Sequence, residues 1–167
     1  MITKPAHLRI RPQIGDLIEV ETSKGLGYLQ YTHHTDDAFN QYLLRAIEGL
    51  YPERPKDLDA LAGRPHIFQT FTALGSALQG RMMRIVHNAP VPEFAARFPL
   101  FRSSGAIDLQ GRVLNWWLWD GNCSIFIGDL PREFHRLPER EFVSFVALVD
   151  MLEEQWRPEN DIRVRNL

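Results

Sequence analysis

The chain is poor in cysteine and lysine and has no long apolar run. A single cysteine, Cys123, in 167 residues excludes an internal disulfide framework and points to a reducing compartment. No stretch approaches the roughly 20 apolar residues that cross a bilayer. Residues 1–7 lack the charged-then-apolar pattern of a secretion signal, so a cytoplasmic protein is expected. The 19 Lys and Arg against 21 Asp and Glu give a formal charge of −2. That excludes the overall basic field of most nucleic-acid binders while leaving room for a local patch. Only Lys4, Lys24 and Lys56 are lysines; genome base composition accounts for the arginine bias without phosphate recognition. Also missing are a Gly-x-Ser-x-Gly elbow, a His-Glu-x-x-His helix, a paired-cysteine zinc site and a dinucleotide fingerprint.

What remains is a folded composition, 44% hydrophobic and 24% charged. The length suits one domain over 1–167, with 1–12 and 159–167 peripheral, large enough to bury a core without staples. The most informative stretch is Trp116-Trp117-Leu118-Trp119, which holds three of the four tryptophans and runs into an Asp120-Gly121-Asn122 turn. Residues 123–127 return as the second strand of a hairpin. Strand alternation places Trp117 and Trp119 on one face and Trp116 on the other. Aromatics on both faces require cover on both, from the chain itself or from something it binds. Core burial is expected for at least two of them. Trp119 with Asp120 as a polar rim is the candidate recognition element.

A first hairpin is read over residues 14–21 and 26–33, joined through Gly25, which can take positive φ. Ile14, Ile18 and Val20 share one face with Asp16 at its exposed start; Leu17, Glu19 and Glu21 share the other. Residues 42–48 fit either a strand or one to two helical turns. Residues 58–61 suggest a helical turn, and 66–72 and 81–87 read as strands joined through Gly75 and Gly80. Three prolines make 88–99 irregular. Phe142, Phe145, Val146, Val149, Leu152 and Trp156 recur at helical spacing between Pro138 and Pro158. They predict one long C-terminal helix that covers a tryptophan-bearing face, with 163–165 as a frayed tail. The fold expected is α+β and β-dominated: a curved antiparallel sheet or SH3-like partial barrel with a C-terminal covering helix.

Local chemistry offers several candidates and no assembled site. His33-His34-Thr35-Asp36-Asp37 has metal-ligand residue types, but neighbours in sequence rarely face one ion and no second ligand pair stands nearby, so a hydrated loop and no metal are expected. Cys123 begins a strand in apolar company and reads as a small core residue rather than a nucleophile. Residues 22–27 superficially look like a phosphate loop but are too short and lie between strands. Glu19 and Glu21 share a strand face and form either a solvated surface or an acidic docking patch.

The opening Ile14-Gly15-Asp16-Leu17-Ile18-Glu19-Val20-Glu21, with Gly27-Tyr28-Leu29-Gln30-Tyr31 after the turn, resembles the immunity-protein families of bacterial polymorphic-toxin systems. The likeness covers about the first fifth of the chain. Pro90-Val91-Pro92, residues 98–102 and Trp116–Gly121 are similar to segments of uncharacterised bacterial proteins. The resemblance implies an SH3-like β-rich domain that blocks a toxin by binding it, and it carries over no catalytic residue. The combined expectation is a non-enzymatic protein-binding domain without cofactor, using Glu19, Glu21, Asp36, Asp37, Trp119 and Asp120 toward another protein. The alternative is a small-ligand or nucleic-acid module that stacks bases on Trp and Tyr rings, with Arg81, Arg84 or Arg112 on phosphate. A third reading is an enzyme site assembled from His66, His87, Asp108 and His135.

Overall fold

The computed structural model describes residues 11–35 and 41–165. Strands β1 (Asp16–Thr22) and β2 (Gly25–His34) form the first hairpin. Gly25 closes its turn at φ 133°, and a Cβ there would stand 2.7 Å from the Tyr51 carbonyl oxygen, so only glycine fits. The ambiguous segment is strand β3 (Tyr42–Tyr51), decided by pairing with β2 on one side and β4 (His66–Thr72) on the other. Between them lies α1 (Leu58–Ala62), capped by the Asp57 carboxylate, which accepts from the Ala60 amide at 2.8 Å. Helix α2 (Leu74–Gln79), where the sequence suggested only a link, leads to β5 (Met83–Asn88). The resulting sheet is antiparallel in the order β4-β3-β2-β1-β5. Strands β6 (Phe101–Ser104), β7 (Trp116–Trp119) and β8 (Ser124–Gly128) form a second antiparallel sheet. The chain ends with α3 (Phe145–Glu153) and α4 (Ile162–Arg165). The architecture is thus α+β and strand-dominated, with two antiparallel sheets that do not close into a barrel.

The five-stranded sheet is covered on both faces. On one, Ile18, Val20, Leu29, Leu44, Ala46 and Phe68 pack beneath α2 and α3. Burying Leu148 and Leu152 of α3 there stabilises by roughly 1.5–3 kcal/mol each. The opposite face carries two separate apolar clusters. Leu17, Tyr28 and Ile47 pack with Leu61, Ala62 and Ala89, while Leu43 and Phe71 meet Phe101 and Trp119 of the second sheet. Cross-strand register places Gln30, Arg45 and Gln69 side by side between those clusters. A polar seam therefore divides one face of the larger sheet.

Several expectations change. Helix α3 begins at its Ser144 cap, whose hydroxyl accepts from the Ala147 amide at 3.2 Å, and not near Pro138. Its inward face is the buried Leu148 and Leu152 with the half-buried Phe145 and Val149; Phe142 precedes the helix and Val146, rotated off the stripe, is exposed. The helix lies on the five-stranded sheet, so it does not cover the tryptophan strand. Asp16 is buried rather than exposed, accepting from the Gln13 amide at 2.7 Å and the Asn88 side chain at 2.8 Å. The 138–143 segment, expected as helix, is extended and ties the sheets together. Arg102 N donates to Pro138 O, Arg140 N to Arg102 O, and Val143 N to Phe71 O. The expected tail is anchored, with Val164 buried against Val113, Trp116 and Leu130. Among the described residues no helix is long and apolar enough to cross a membrane.

Candidate functional site

Strand β7 shows how one alternating pattern yields three environments. Trp119 lies opposite Phe101, buried among Leu43, Phe71 and Phe98, with the Arg140 guanidinium 3.9 Å from its ring centroid. Trp116, on the other face, is buried with Val113, Leu130 and Val164. Trp117 shares the Trp119 face but lies opposite the small Ser103, beyond the contact with the larger sheet, and is 38% exposed. Its ring meets Phe126 of β8 edge-on, centroids 5.1 Å apart. Among the described residues β8 is an edge strand, paired only with β7. Phe126 is 57% and Ile125 60% exposed, so the edge presents apolar side chains on both faces.

The residues singled out by sequence fare differently. Glu19 is buried, accepting from the Tyr28 hydroxyl at 2.9 Å and from Arg54 Nε and Nη2 at 2.7 and 2.8 Å. The Arg54 fork holds its carboxyl below the ordinary value against the opposing effect of burial. Burial and the Glu19 carboxylate push the Tyr28 hydroxyl up. Glu21 is exposed and ion-paired with Arg84. These two acids are therefore matched by arginines rather than forming a solvated negative patch. Asp36 and Asp37 lie outside the described residues. Trp119 is core. Asp120 shapes its own turn, accepting from the Cys123 and Asn122 amides at 2.8 and 2.9 Å, which lowers its carboxyl from the ordinary value. Cys123, expected in the core, is exposed in that turn. No hydrogen bond, ion pair or ring contact among the described residues joins Glu19 and Glu21 to Trp119 and Asp120.

The other candidates are dispersed as well. His33 Nε2 lies 3.0 Å from the Ala96 carbonyl oxygen, and the His34 ring packs on Tyr42. His87 pairs with Asp59, Asp108 with Arg112, and the His135 carbonyl accepts from Arg102. Among the described residues no group of three or more His, Cys, Asp or Glu is placed to hold a metal ion. Of the phosphate-contacting candidates Arg81, Arg84 and Arg112, the last two are engaged by Glu21 and Asp108.

Sequence reasoning missed two fully buried arginines. Arg102 Nε donates to Glu139 and Nη2 to Asp161, each at 3.1 Å, and the guanidinium also bonds the His135 and Pro158 carbonyls. Arg163 adds bonds to Asp161 and Glu141. Burial acts to raise the Asp161 carboxyl, but the Arg163 bonds and both arginine charges hold it below the ordinary value. Among the described residues no carboxylate is bonded to Arg45. It donates to Gln30 Oε1 at 2.8 Å, to Arg64 O at 2.9 Å and to Ala62 O, and burial lowers it to about 10. Nearby His66 is depressed to about 4, first by burial and then by the Arg45 charge. An arginine inside the apolar run Leu43-Leu44-Arg45-Ala46-Ile47 was the available signal. No protein-family model, curated protein or solved structure matches the chain.

Proposed function

We propose that this chain is a non-enzymatic protein-binding domain that engages an extended segment of another protein along β8. The observation that carries this reading is the uncharged edge Ser124-Ile125-Phe126-Ile127-Gly128, with Ile125, Phe126 and the neighbouring Trp117 exposed. Exposed edge strands are normally guarded by lysine, proline, inward charge or a covering loop, and β8 has no charged residue or proline of its own. A partner strand added beside β8 supplies the missing backbone hydrogen bonds, with Trp117 and Phe126 as side-chain anchors. The N-terminal likeness to immunity proteins makes a toxin domain the first partner to try.

The test compares the wild type with Phe126→Lys in co-purification from native lysate, followed by amide exchange on the complex. One stoichiometric protein partner that is lost on substitution and protects amides 124–128 is the expected result. For that partner, Trp117→Ala should weaken binding by at least about 2 kcal/mol. A partner retained by Phe126→Lys, or protection confined to the β1–β2 hairpin, rejects this surface. A homodimer of the wild type alone reassigns the edge to self-association.

A further inference from the structure

One charged group reaches the β8 edge from outside its own hairpin. Arg140 lies in the 138–143 segment, whose backbone bonds Arg102 of β6, while β6 pairs with β7. Strands β6 and β7 therefore stand between the Arg140 backbone and β8. The side chain spans that distance. Its guanidinium carbon is 3.9 Å from the Trp119 ring centroid, and Nη1 comes within 3.5 Å of the Ser124 hydroxyl oxygen on β8. Stacking on the indole holds the planar guanidinium in place. Beyond the long contact with Ser124 it makes no hydrogen bond and no ion pair among the described residues. The acids beside Arg140 and Trp119 in sequence are committed elsewhere: Glu139 to Arg102, Glu141 to Arg163, and Asp120 to the amides of its own turn.

Strand pairing decides what the edge offers beside that charge. Asp120 N bonds Cys123 O across the turn, so the antiparallel alternation makes Leu118–Ile125 a hydrogen-bonded pair and leaves Trp119–Ser124 and Trp117–Phe126 as non-bonded pairs. The backbone N–H and C=O groups of Ser124 and Phe126 consequently face away from β7, toward any added strand. Their side chains share the face of Trp117 and Trp119. On an added strand, the residue opposite Ser124 is thus presented to Arg140 and the residue opposite Phe126 to Phe126 and Trp117. The residue between them turns to the other face, beside the exposed Ile125.

We propose that β8 selects a protein segment carrying an acidic residue two positions from an aromatic or branched apolar one, the carboxylate on Arg140 and the apolar side chain against Trp117 and Phe126. This rests on the reading of β8 as a docking edge and adds the chemistry of its partner. Because β8 has no charge of its own, a basic residue opposite Ser124 meets Arg140 with no acid to relieve the repulsion. A carboxylate there meets a forked donor already held in position.

Short random peptides, carried with a flexible linker at both ends so that only side chains supply carboxylates, are selected on the wild type, Arg140→Gln and Phe126→Lys. The wild type should enrich Asp or Glu two positions from an aromatic or branched apolar residue, and Arg140→Gln should keep the apolar preference and lose the acidic one. In the best peptide, changing the acid to its amide should weaken binding to the wild type about fivefold and leave binding to Arg140→Gln unchanged. The peptide change alone tests the contact if Arg140→Gln disturbs the packing of Trp119. No acidic enrichment, or an affinity unmoved by the amide, overturns the inference, and the β8 reading stands as long as Phe126→Lys abolishes binding. Peptides that Phe126→Lys retains reject the edge itself and the inference with it. Recovery of no peptide from the wild type also overturns the inference.

Discussion

Arg45 and Arg102 are both fully buried, and the molecule accommodates them in opposite ways. Arg102 sits where β6, the 138–143 segment and the C-terminal residues meet, neutralised by Glu139 and Asp161. Arg45 lies in the seam of the larger sheet and is bonded, among the described residues, only to neutral oxygens of Gln30, Ala62 and Arg64, with the Phe94 ring 5.5 Å from its guanidinium carbon. One charge is bonded to what can become uncompensated charge on its removal; the other is not. Burial depth alone is therefore a poor guide to what either residue is worth.

The largest expected contrast comes from replacing each arginine with methionine. Arg102→Met leaves two carboxylates buried with only Arg163 to share and should cost about 3–5 kcal/mol in urea unfolding. Arg45→Met leaves neutral acceptors and should cost about 1–3 kcal/mol. Equal losses would remove the distinction between the two sites.

Acid should separate the same two regions by pH window. The folded-state value of His66 is depressed from 6.5 to about 4, so the unfolded chain takes up its proton first. Stability contributed there is complete above pH 6.5 and falls as pH drops toward 4, by about 2 kcal/mol for this partly exposed ring. Asp161 is depressed from 3.8, so its contribution is present above that value and is lost only at lower pH. Arg45→Met should narrow the upper window by removing a repulsive charge from His66, which unfolding curves at several pH values will show. A single loss confined below pH 4 in the wild type would argue against the His66 environment.

The smallest change probes the support of the paired site. The Ser104 hydroxyl donates to Glu139 at 2.9 Å, and its amide donates to the same oxygen at 2.8 Å. Ser104→Ala should therefore cost about 1 kcal/mol, because the backbone bond survives. A loss as large as that of Arg102→Met would mean that Glu139 is positioned chiefly by the hydroxyl.

Much of the strand framework was legible in the sequence because it rests on local rules. Gly25 marked the first turn, Asp120-Gly121 the second, and alternation identified β1, β2, β4 and β7. The candidate site was far less legible. Glu19 has the residue type and spacing of a surface acid, yet Arg54, which neutralises it, arrives from 35 positions away. Phe142 fits a helical stripe only until the Ser144 cap sets where the helix begins, and Val146, inside the helix, is turned away from the face that packs on the sheet. Cys123 looked apolar by its neighbours, but Asp120 holds it in an exposed turn.

By itself the sequence determined that this is a strand-rich chain with two glycine-marked hairpins and an apolar helical stripe near its end, because turn chemistry and side-chain period act over a few residues. Only the tertiary structure decided that Trp119 is buried while Trp117, on the same face, is partly exposed. The same holds for the carboxylates bonded to Arg102, with none bonded to Arg45 among the described residues, and for the Arg140 guanidinium carried across Trp119 toward β8. Those outcomes depend on which strand ends overlap between sheets and which remote groups meet, and no local pattern encodes either.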